Sequence, residues 1–346
     1  MSGLSAHDRD EWRSSVAAVT ARCAPDGPWD ALFGLGVLQT CDPHTGLGGL
    51  TDLAVAVEEC GAVAVGTPLL SQALGVRGLS SAPPSPNRER LLADGVHGRE
   101  RIALALPRDW TRPTTDVSAT ASGPQWTLEG VGGLVLDGHR ADVVLVPADT
   151  AEGPGIFAVR ADAPGVSRCT LAALDPTRSL TEVRFAGSPA TVLGLDGDWA
   201  AQRLWSEVAA LLAADSLGGA RAVLRGAVEY ARQRIQFGRA IGSFQAVKHR
   251  LADLSIELDG AVAAVEYALR QLDDGTSDAA LAASIAKLTA TDAYLTIAAG
   301  AIQTYGGIGF TWEHPAHIYL KRAHTNGQLG GSASLHLGLV ADHLGI

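Results

Sequence analysis

The feature that most constrains how this chain folds is a change in hydrophobic period along its length. Over residues 1–95, and again over residues 198–346, apolar side chains recur every three or four positions, which is the spacing of amphipathic helices. Over residues 100–195 they form short runs rich in Val, Ile and Leu, bounded by Gly, Pro and Asp, and such runs are typical of strands. The order predicts helices, then a sheet, then helices again.

These textures predict a multidomain protein with both helices and strands. We expect an N-terminal helical domain over residues 1–97, a middle domain of antiparallel strands (a sheet or small barrel) over 98–197, and a C-terminal four-helix bundle over 198–346. A chain of 346 residues is long enough to bury cores of this size. Asp137 and Gly138 lie between two apolar runs and predict a turn, because Asp-Gly favours a positive φ.

Several residues predict where helices begin and end. Pro68 should start a helix, and the prolines of residues 80–91 predict a loop. Ser277 is the expected N-cap of one long helix, while Gly275 and Gly306 are the expected C-terminal stops. The bundle should contain three long helical patterns and one shorter helix: 199–237, 243–275, 277–307 and a helix that begins near His314-Pro315.

Composition excludes some classes of function. The net charge is −10 and there is no basic run, so a nucleic-acid partner is not expected. The N-terminus is polar and no apolar stretch reaches the roughly 18 residues of a membrane span, so we expect a cytoplasmic protein with no membrane partner. The cysteines show no disulfide or metal spacing and fit reduced, mostly buried thiols; they are Cys23, Cys41, Cys60 and Cys169.

Two long motifs carry a family resemblance. The stretch YARQRIQFGRAIGSFQAVKHRLADL at residues 230–254 closely resembles a signature of the acyl-CoA dehydrogenase family. The stretch AIQTYGGIGFTWEHPAHIYLKRA at 301–323 resembles the second C-terminal signature of that family, and residues 32–75 look like its N-terminal helical domain. Two motifs in the right order and separation are far more specific than a lone glycine pattern.

The resemblance implies a fold and a chemistry. The fold would be that of an acyl-CoA dehydrogenase, with N-terminal helices, a middle β domain and a C-terminal helical bundle. Family members are tetrameric flavoproteins that oxidise acyl-CoA thioesters to 2-enoyl-CoA. A glutamate removes the α-proton while the β-hydride passes to N5 of FAD. Each FAD lies across a subunit boundary, so one protomer holds the isoalloxazine ring and its neighbour contacts the pyrophosphate and adenosine.

The residues that would contact a neighbour's FAD are present. By similarity, Arg234 would meet the pyrophosphate, Phe237 would pack beside the cofactor and Gln245 would bond to the same region. Gln303 and Gly307 would add amide and close-backbone contacts. These types suit the task, because arginine presents a planar fork to phosphate oxygens and glycine lets the backbone approach closely.

The position of the family's catalytic glutamate carries no side chain. Counting forward from the second motif, this position falls at Gly330, and the family's Tyr-Glu-Gly-Thr turn reads here as Leu-Gly-Gly-Ser at residues 329–332. A glycine cannot act as a general base. We therefore predict no catalytic residue here, a flexible turn at Gly330-Gly331, and Ser332 as the cap of the last helix.

A subclass of the family places its base on the first helix of the bundle, which maps to Val208. Glu207 is its neighbour, but one residue along a helix rotates a side chain by about 100°. Glu207 is therefore a weak alternative base, and otherwise a surface helix charge.

The flavin-facing part of the middle domain also departs from the family. The family's Thr-Glu-Pro-Gly type loop, rich in Gly and Ser, corresponds here to residues 103–119, which contain no glycine. The Trp and Thr that cover the flavin in the family map onto Leu134 and Leu136. Trp110 could replace the lost aromatic side chain, but packing in a nearby core is the expected role.

The presence of the residues that would contact a neighbour's FAD, together with the loss of the glutamate and the flavin-facing residues, predicts a heteromeric enzyme. A second acyl-CoA dehydrogenase-like subunit would retain the glutamate and the flavin face and bind the acyl-CoA, in an α₂β₂ heterotetramer with half the usual number of FAD sites. The shared FAD would pass electrons to electron transfer flavoprotein, and the isolated chain would be inactive. The resemblance extends to heteromeric members that act on bulky CoA esters of steroid side chains.

Two alternatives stay open at this point. The first is a homotetramer repurposed for another reaction, in which His314, His317, His324 and Asp109 would matter, although no metal-ligand spacing links them. The second is a silent structural subunit that binds a partner without touching its FAD. Retention of Arg234 and Gln245 counts against this second alternative.

Overall fold

The computed structural model describes residues 4–22, 29–42, 48–64, 66, 68–112, 114–195 and 200–346. The helices of this part of the chain are α1 (Ala6–Thr20), α2 (Trp29–Gly34), α3 (Leu50–Val63), α4 (Leu69–Ser80), α5 (Pro86–Val96), α6 (Ala201–Gln233), α7 (Gln245–Asp274), α8 (Ala279–Tyr305), α9 (Ala316–Gln328) and α10 (Ala333–Leu344). The strands are β1 (Ile102–Leu106), β2 (Asp116–Ser122), β3 (Gln125–Leu136), β4 (Val143–Thr150), β5 (Gly153–Arg160), β6 (Val166–Leu171), β7 (Leu180–Gly194), β8 (Ile235–Gln236) and β9 (Arg239–Ala240). The predicted order of helices, strands and helices is confirmed.

The helix boundaries follow the expected chemistry in part. Pro68 precedes α4, and Gly275 ends α7 with a left-handed φ of 65°, so both predictions are confirmed. The predicted N-cap at Ser277 is wrong, because α8 begins after Asp278. The predicted loop at residues 80–91 is wrong in its second half. There Ser85 accepts a hydrogen bond from the backbone N–H of Arg88, and α5 begins with a proline at its first turn.

The seven strands β1 to β7 form one sheet in the order β1-β3-β2-β4-β5-β7-β6, with further pairings between β1 and β4 and between β3 and β7. The predicted antiparallel pairing holds for most neighbours, but β1 and β2 each pair with β4 in parallel. The apolar runs at residues 126–130 and 133–138 suggest two short strands, but both belong to one long strand, β3, which is irregular around Gly130 and Gly133. Asp137 turns the chain after β3 with a φ of 52°, as predicted.

The sheet encloses a core of small and branched side chains. Val117, Leu128, Val144, Phe157 and Val183 are buried in it, each from a different strand. Every second side chain of these strands enters this core. Strand β1 and most of β4 are buried on both faces, in agreement with the continuous apolar runs of the sequence. The sheet therefore forms a stable scaffold by apolar burial.

The chain divides into two compact units. One comprises residues 1–53, 66–173 and 178–208, and the other comprises 54–65, 174–177 and 209–346. The division into three domains stays a prediction, and its boundary at 197/198 lies outside the described residues, as does Cys23. Of the other cysteines, Cys41 and Cys60 are buried and Cys169 is exposed. No helix in the described ranges is long and apolar enough to cross a membrane.

Candidate functional site

Three long helices bring their ends together at one end of the second unit. The rings of Tyr230, near the end of α6, and Tyr305, the last residue of α8, lie 5.1 Å apart. Along α7 and α8, Leu254 packs against Gly300, where a Cβ would come within 2.6 Å of the leucine Cδ1. Because α7 starts two to three turns before Leu254, its first residue lies toward the same end. We call this region the motif end.

Arg234 lies between α6 and a two-residue hairpin at the motif end. Its N–H donates to Tyr230 O at 2.8 Å, and its carbonyl accepts from Ile241 N at 2.8 Å. The hairpin turns through Phe237 (φ 53°) and Gly238 (φ 78°), a pair of positive values typical of a tight β-turn. The predicted helix over 199–237 is therefore wrong after Gln233, because the backbone leaves the helix to form this hairpin.

The hairpin tip presents an aromatic side chain to solvent. Phe237 is 91% exposed, and its ring lies edge-on to Phe244 with 6.2 Å between ring centres. Arg239 stacks its guanidinium 4.1 Å above the Phe244 ring. Sequence reasoning missed Arg239, although a second arginine inside the first motif was a signal that could have identified it. Two exposed arginines thus flank the turn.

The other predicted residues lie on the adjoining helix ends. Gln245 is the first residue of α7 and is exposed, and Gln303 is exposed on the last turn of α8. Gly306 ends α8 with a φ of 66°, which confirms the predicted stop. Beyond Gly307 itself and the adjoining backbone, no atom of the described residues lies within 4 Å of the position that a Cβ on Gly307 would take. The backbone at Gly307 is therefore open to close approach.

An apolar rim continues from these glycines. Phe310 is 77% exposed and Trp312 is 79% exposed. Lys321 places its Nζ 4.6 Å above the Trp312 ring, and His317 contacts the same ring edge-on at 4.7 Å. Exposed large aromatic side chains in one region mark an interaction surface.

The turn at Gly330, onto which the sequence alignment placed the family's glutamate, has no room for a side chain. Gly330 and Gly331 adopt φ values of 76° and 99°, and a Cβ on Gly330 would lie 2.6 Å from Leu212 Cδ1. His336 Nε2 lies 2.8 Å from Gly330 O, while Lys287 Nζ is 3.4 Å from Gly331 O. The predicted turn and the cap by Ser332, which accepts a hydrogen bond from Leu335 N, are confirmed. That this turn lacks a catalytic residue stays a prediction.

Glu207 is not the surface charge that the sequence suggested as its alternative role. It is 2% exposed in the first unit. Arg77 forms a two-pronged ion pair with it, with Nε to Oε2 at 2.6 Å, and Arg203 Nε adds a contact of 3.0 Å to Oε1. A cavity of about 230 Å³ adjoins the pair between α4 and the start of α6. Because guanidinium groups contact both oxygens, the Glu207 carboxylate forms part of a buried ion pair. Its role as a catalytic base stays untested.

Apolar side chains occupy three positions that the sequence aligned with the family's flavin face: Trp110, Leu134 and Leu136. Trp110 packs edge-on against Trp205, with 5.4 Å between ring centres, which agrees with the expected packing role. Leu136 is buried and Leu134 is half-buried at the end of β3. None of these four side chains supplies the hydroxyl or glycine backbone that binds flavin in the family.

The histidines of the first alternative lie in aromatic and backbone contacts. His314 stacks 4.0 Å from the Tyr305 ring, and burial together with His317 lowers the pKa of His314. His317 Nδ1 contacts His314 O at 2.9 Å, and His324 is exposed. Asp109 accepts hydrogen bonds from Thr111, which lower the pKa of this carboxyl. Within the described ranges no three His, Cys, Asp or Glu side chains form a group that could hold a metal ion.

The motif end offers arginine forks, carboxamides, aromatic faces and an open glycine backbone. These groups suit a nucleotide: the forks bind phosphate oxygens, and aromatic faces pack on planar rings. The same side chains are exposed, so a ligand bound to them would need a second surface to be enclosed. Toward FAD, the groups of the motif end suit the pyrophosphate and the adenosine.

Comparisons with known proteins agree with this architecture. Residues 197–345 match the family model described as acyl-CoA dehydrogenase, C-terminal domain. The chain is 34% identical over 322 residues to acyl-CoA dehydrogenase IpdE2 of Mycobacterium tuberculosis, covering 90% of this chain and 86% of that protein. It is 35% identical over 339 residues to acyl-CoA dehydrogenase FadE34 of the same organism, covering 95% of this chain but only 42% of FadE34.

Two solved structures share the fold along their whole length. One is the ChsE4-ChsE5 complex from Mycobacterium tuberculosis, with a TM-score of 0.90 and 25% identity over 100% of this chain and 99% of that one. The other is a variant of the steroid ACAD Tcur3481-Tcur3483, with a TM-score of 0.88 and 26% identity over 98% of both chains.

Proposed function

Because this chain belongs to the acyl-CoA dehydrogenase family, we propose that it is the non-catalytic subunit of a heteromeric, flavin-dependent acyl-CoA dehydrogenase. In this proposal a second, related subunit holds the flavin ring, the acyl-CoA and the catalytic glutamate. The present chain completes that subunit's FAD site from across the interface. The complex is an oxidoreductase acting on a CH–CH bond, and the isolated chain is inactive.

One contrast carries the proposal. The residues that would contact a neighbour's cofactor are exposed and unobstructed at the motif end, as the 91% exposure of Phe237 and the open backbone at Gly307 illustrate. The residue that would perform the chemistry is a glycine whose Cβ position is filled by Leu212. A chain of this kind can complete a partner's site but has no base of its own.

Each residue of the motif end has a role in this proposal. Arg234 donates to pyrophosphate oxygens through its fork, and Gln245 and Gln303 add amide hydrogen bonds. Phe237 covers the cofactor from the hairpin tip, and Gly307 lets the backbone approach it. FAD, when bound, supplies the hydride acceptor at the partner's site. The residues of this chain only hold and orient the part of the cofactor distant from the reacting atoms.

The comparisons support the kind of partner and substrate. ChsE4-ChsE5 is a complex of two different chains, and Tcur3481-Tcur3483 is named a steroid ACAD. We infer an α₂β₂ heterotetramer in the cytoplasm that acts on a bulky acyl-CoA, of the size of a steroid side-chain CoA ester. Electron transfer flavoprotein would reoxidise the partner's flavin. Loss of one active site per pair would leave room for a large acyl group.

The deciding experiment expresses this chain alone and together with an acyl-CoA dehydrogenase-like chain encoded beside it. We expect a colourless single chain and a yellow heteromer with one FAD per pair of subunits. A single chain that purifies with stoichiometric FAD and oxidises a thioester would overturn the proposal and favour the repurposed homotetramer.

Within the heteromer, Arg234→Ala should weaken FAD retention by about 10- to 100-fold, because a hydrogen bond to a charged group contributes about 1.5–3 kcal/mol. Arg232→Ala is the matched control, since Arg232 is exposed two residues away on the last turn of α6. Equal FAD content in both variants would favour the silent structural subunit instead.

A further inference from the structure

Two buried basic side chains hold the turn between α9 and α10. Lys287, on α8, is 1% exposed and donates from Nζ to Asn326 O at 2.8 Å and, at longer range, to Gly331 O at 3.4 Å. His336, on α10, is 5% exposed and lies with Nε2 2.8 Å from Gly330 O. Three carbonyls, one near the end of α9 and two in the turn, are thus bonded to side chains of α8 and α10, which anchors α10 to the bundle.

The hydrogen bond to Gly330 fixes where the histidine carries its proton. A carbonyl oxygen can only accept, so Nε2 bears the hydrogen and Nδ1 of the neutral ring has a lone pair. Nδ1 is buried and has no hydrogen-bond partner among the residues that the structure describes. A second proton on the ring would therefore place an unpaired, charged N–H in a dry environment next to Lys287.

The surrounding charges do not offset this cost. Asp215 on α6 faces the same region, but Arg322 on α9 binds it through both nitrogens of its fork, at 2.6 and 3.1 Å. Asn326 also donates to Asp215, at 2.7 Å. Within the described part of the chain, neither Lys287 nor His336 contacts a carboxylate. Tyr294 and Tyr319 also lie near Asp215 and Arg322, and burial raises the pKa of both phenols. Asp175 acts on Arg322 as well.

We propose that Lys287 and His336 form a proton-sensitive latch that keeps α10 closed on the bundle and loosens it as the pH falls. The proposal does not depend on the function proposed above. Its consequence is a change of surface, because α10 carries the exposed residues Leu337, Leu339 and Leu344. Opening α10 would rearrange this apolar face.

The direction follows from the two pKa shifts. Burial lowers the pKa of Lys287 to about 7 in the closed form, whereas in the open form the amine has an ordinary lysine pKa. As the pH falls from the usual lysine range toward 7, only the open form gains the proton, so the closed form loses stability relative to the open form. Burial, followed by the charge of Lys287, lowers the pKa of His336, against an opposing effect of the bond to Gly330 O. The closed form therefore loses further stability as the pH falls below the usual histidine value near 6.5.

Amide hydrogen exchange tests the latch on the full chain in the assembly in which it purifies. Protection factors, corrected for the pH dependence of chemical exchange, are measured for peptides of α10 and α8 between pH 5.5 and 9. In the wild type we expect the protection factors of α10 to fall as the pH is lowered from 9 to 7, where Lys287 titrates, and again below 6.5, where His336 titrates. Within each range the fall is at most about tenfold per pH unit, because one proton is linked to opening. Protection of α8 should stay constant.

Two variants separate the contributions. His336→Gln retains an amide N–H that can reach Gly330 O but cannot be protonated, so it should remove the loss of protection below pH 6.5. Lys287→Met should remove the loss between pH 9 and 7. His343→Gln is the matched control, because His343 is exposed on the same helix, and it should leave the wild-type profile unchanged. Protection of α10 that is independent of pH in the wild type, or that falls in parallel with α8, would overturn the proposal without any variant.

Discussion

The motif end and the Gly330 turn are parts of the same unit, yet they differ in almost every physical respect. The motif end exposes Phe237, Phe310 and Trp312 and leaves the backbone of Gly307 open. At the turn, Gly330 faces a filled space and its carbonyl is bonded to a buried histidine. The second unit therefore contains both an exposed aromatic surface, at the motif end, and a turn with no room for a side chain, at Gly330.

This difference indicates which parts of the unit are organised for function and which for stability. Large exposed aromatic side chains contribute little to the stability of the chain that carries them, so their presence points to a partner. The turn instead forms part of a buried polar network, in which every lost contact leaves another group unpaired. Mutations in the two regions should therefore separate effects on assembly from effects on folding.

The largest effect should come from the network beneath the turn. Asp215→Asn removes the carboxylate that binds both nitrogens of the Arg322 fork, and breaking a buried pair in this way costs about 3–5 kcal/mol of the free energy of unfolding. Urea unfolding at fixed protein concentration measures the loss. Tyr294→Phe is the matched control, because the Tyr294 hydroxyl is buried nearby and no described residue forms a hydrogen bond with it. Removing that hydroxyl should change stability little, and an equal loss in both variants would contradict the network interpretation.

A smaller but diagnostic effect is expected at Gly330. Gly330→Glu should destabilise the chain by about 1–3 kcal/mol, because its Cβ would overlap Leu212 and the backbone has a left-handed φ. It should not create dehydrogenase activity, because in the proposed function the partner subunit holds the flavin ring. Acyl-CoA oxidation by the isolated Gly330→Glu chain would contradict this.

The clash itself can be tested by a double-mutant cycle. Leu212→Ala in the wild-type background should cost stability by leaving a cavity. Combined with Gly330→Ala, it should cost less than the sum of the two single changes, because the new methyl group fills part of the space. Strict additivity in thermal unfolding would show that Leu212 does not exclude a side chain at position 330.

Much of this contrast could be predicted from the sequence. Hydrophobic period predicts the order of helices and strands, because burial imposes that period directly. The two motifs identify the family and the residues of the motif end. The glycine pair at 330–331 predicts the turn, because glycine tolerates a left-handed φ and tight approach. These are local properties, and local properties are visible in the sequence.

What the sequence could not predict depends on contacts between distant residues. Glu207 reads as a helix surface charge until its partner Arg77, 130 positions earlier, is known. Lys287 lies in an alanine-rich helix with no sign that its amine will be buried against Asn326 O. The hairpin at Phe237 lacks the usual Asn-Gly or Asp-Gly signal, so the helical pattern of α6 extends too far. In each case tertiary contacts decide what local preference leaves open.

The smallest effect on stability should come from the hairpin tip. Phe237 has a positive φ, which is unfavourable for a bulky residue. Its ring is exposed, so Phe237→Gly loses little burial while removing that strain. We expect the free energy of unfolding of this chain to stay within about 1 kcal/mol of the wild type, or to rise.

The same substitution should weaken the assembly. If the ring contacts a partner's cofactor, the heteromer containing Phe237→Gly should lose FAD more readily on gel filtration, although its subunit is no less stable. Ile256→Ala is a control for exposed apolar surface away from the hairpin, because Ile256 is exposed in the middle of α7. If the heteromer with Phe237→Gly retains FAD as well as the wild type does, the hairpin is not part of the shared site. The contrast between the two regions would then depend on Arg234 and the glutamine pair alone.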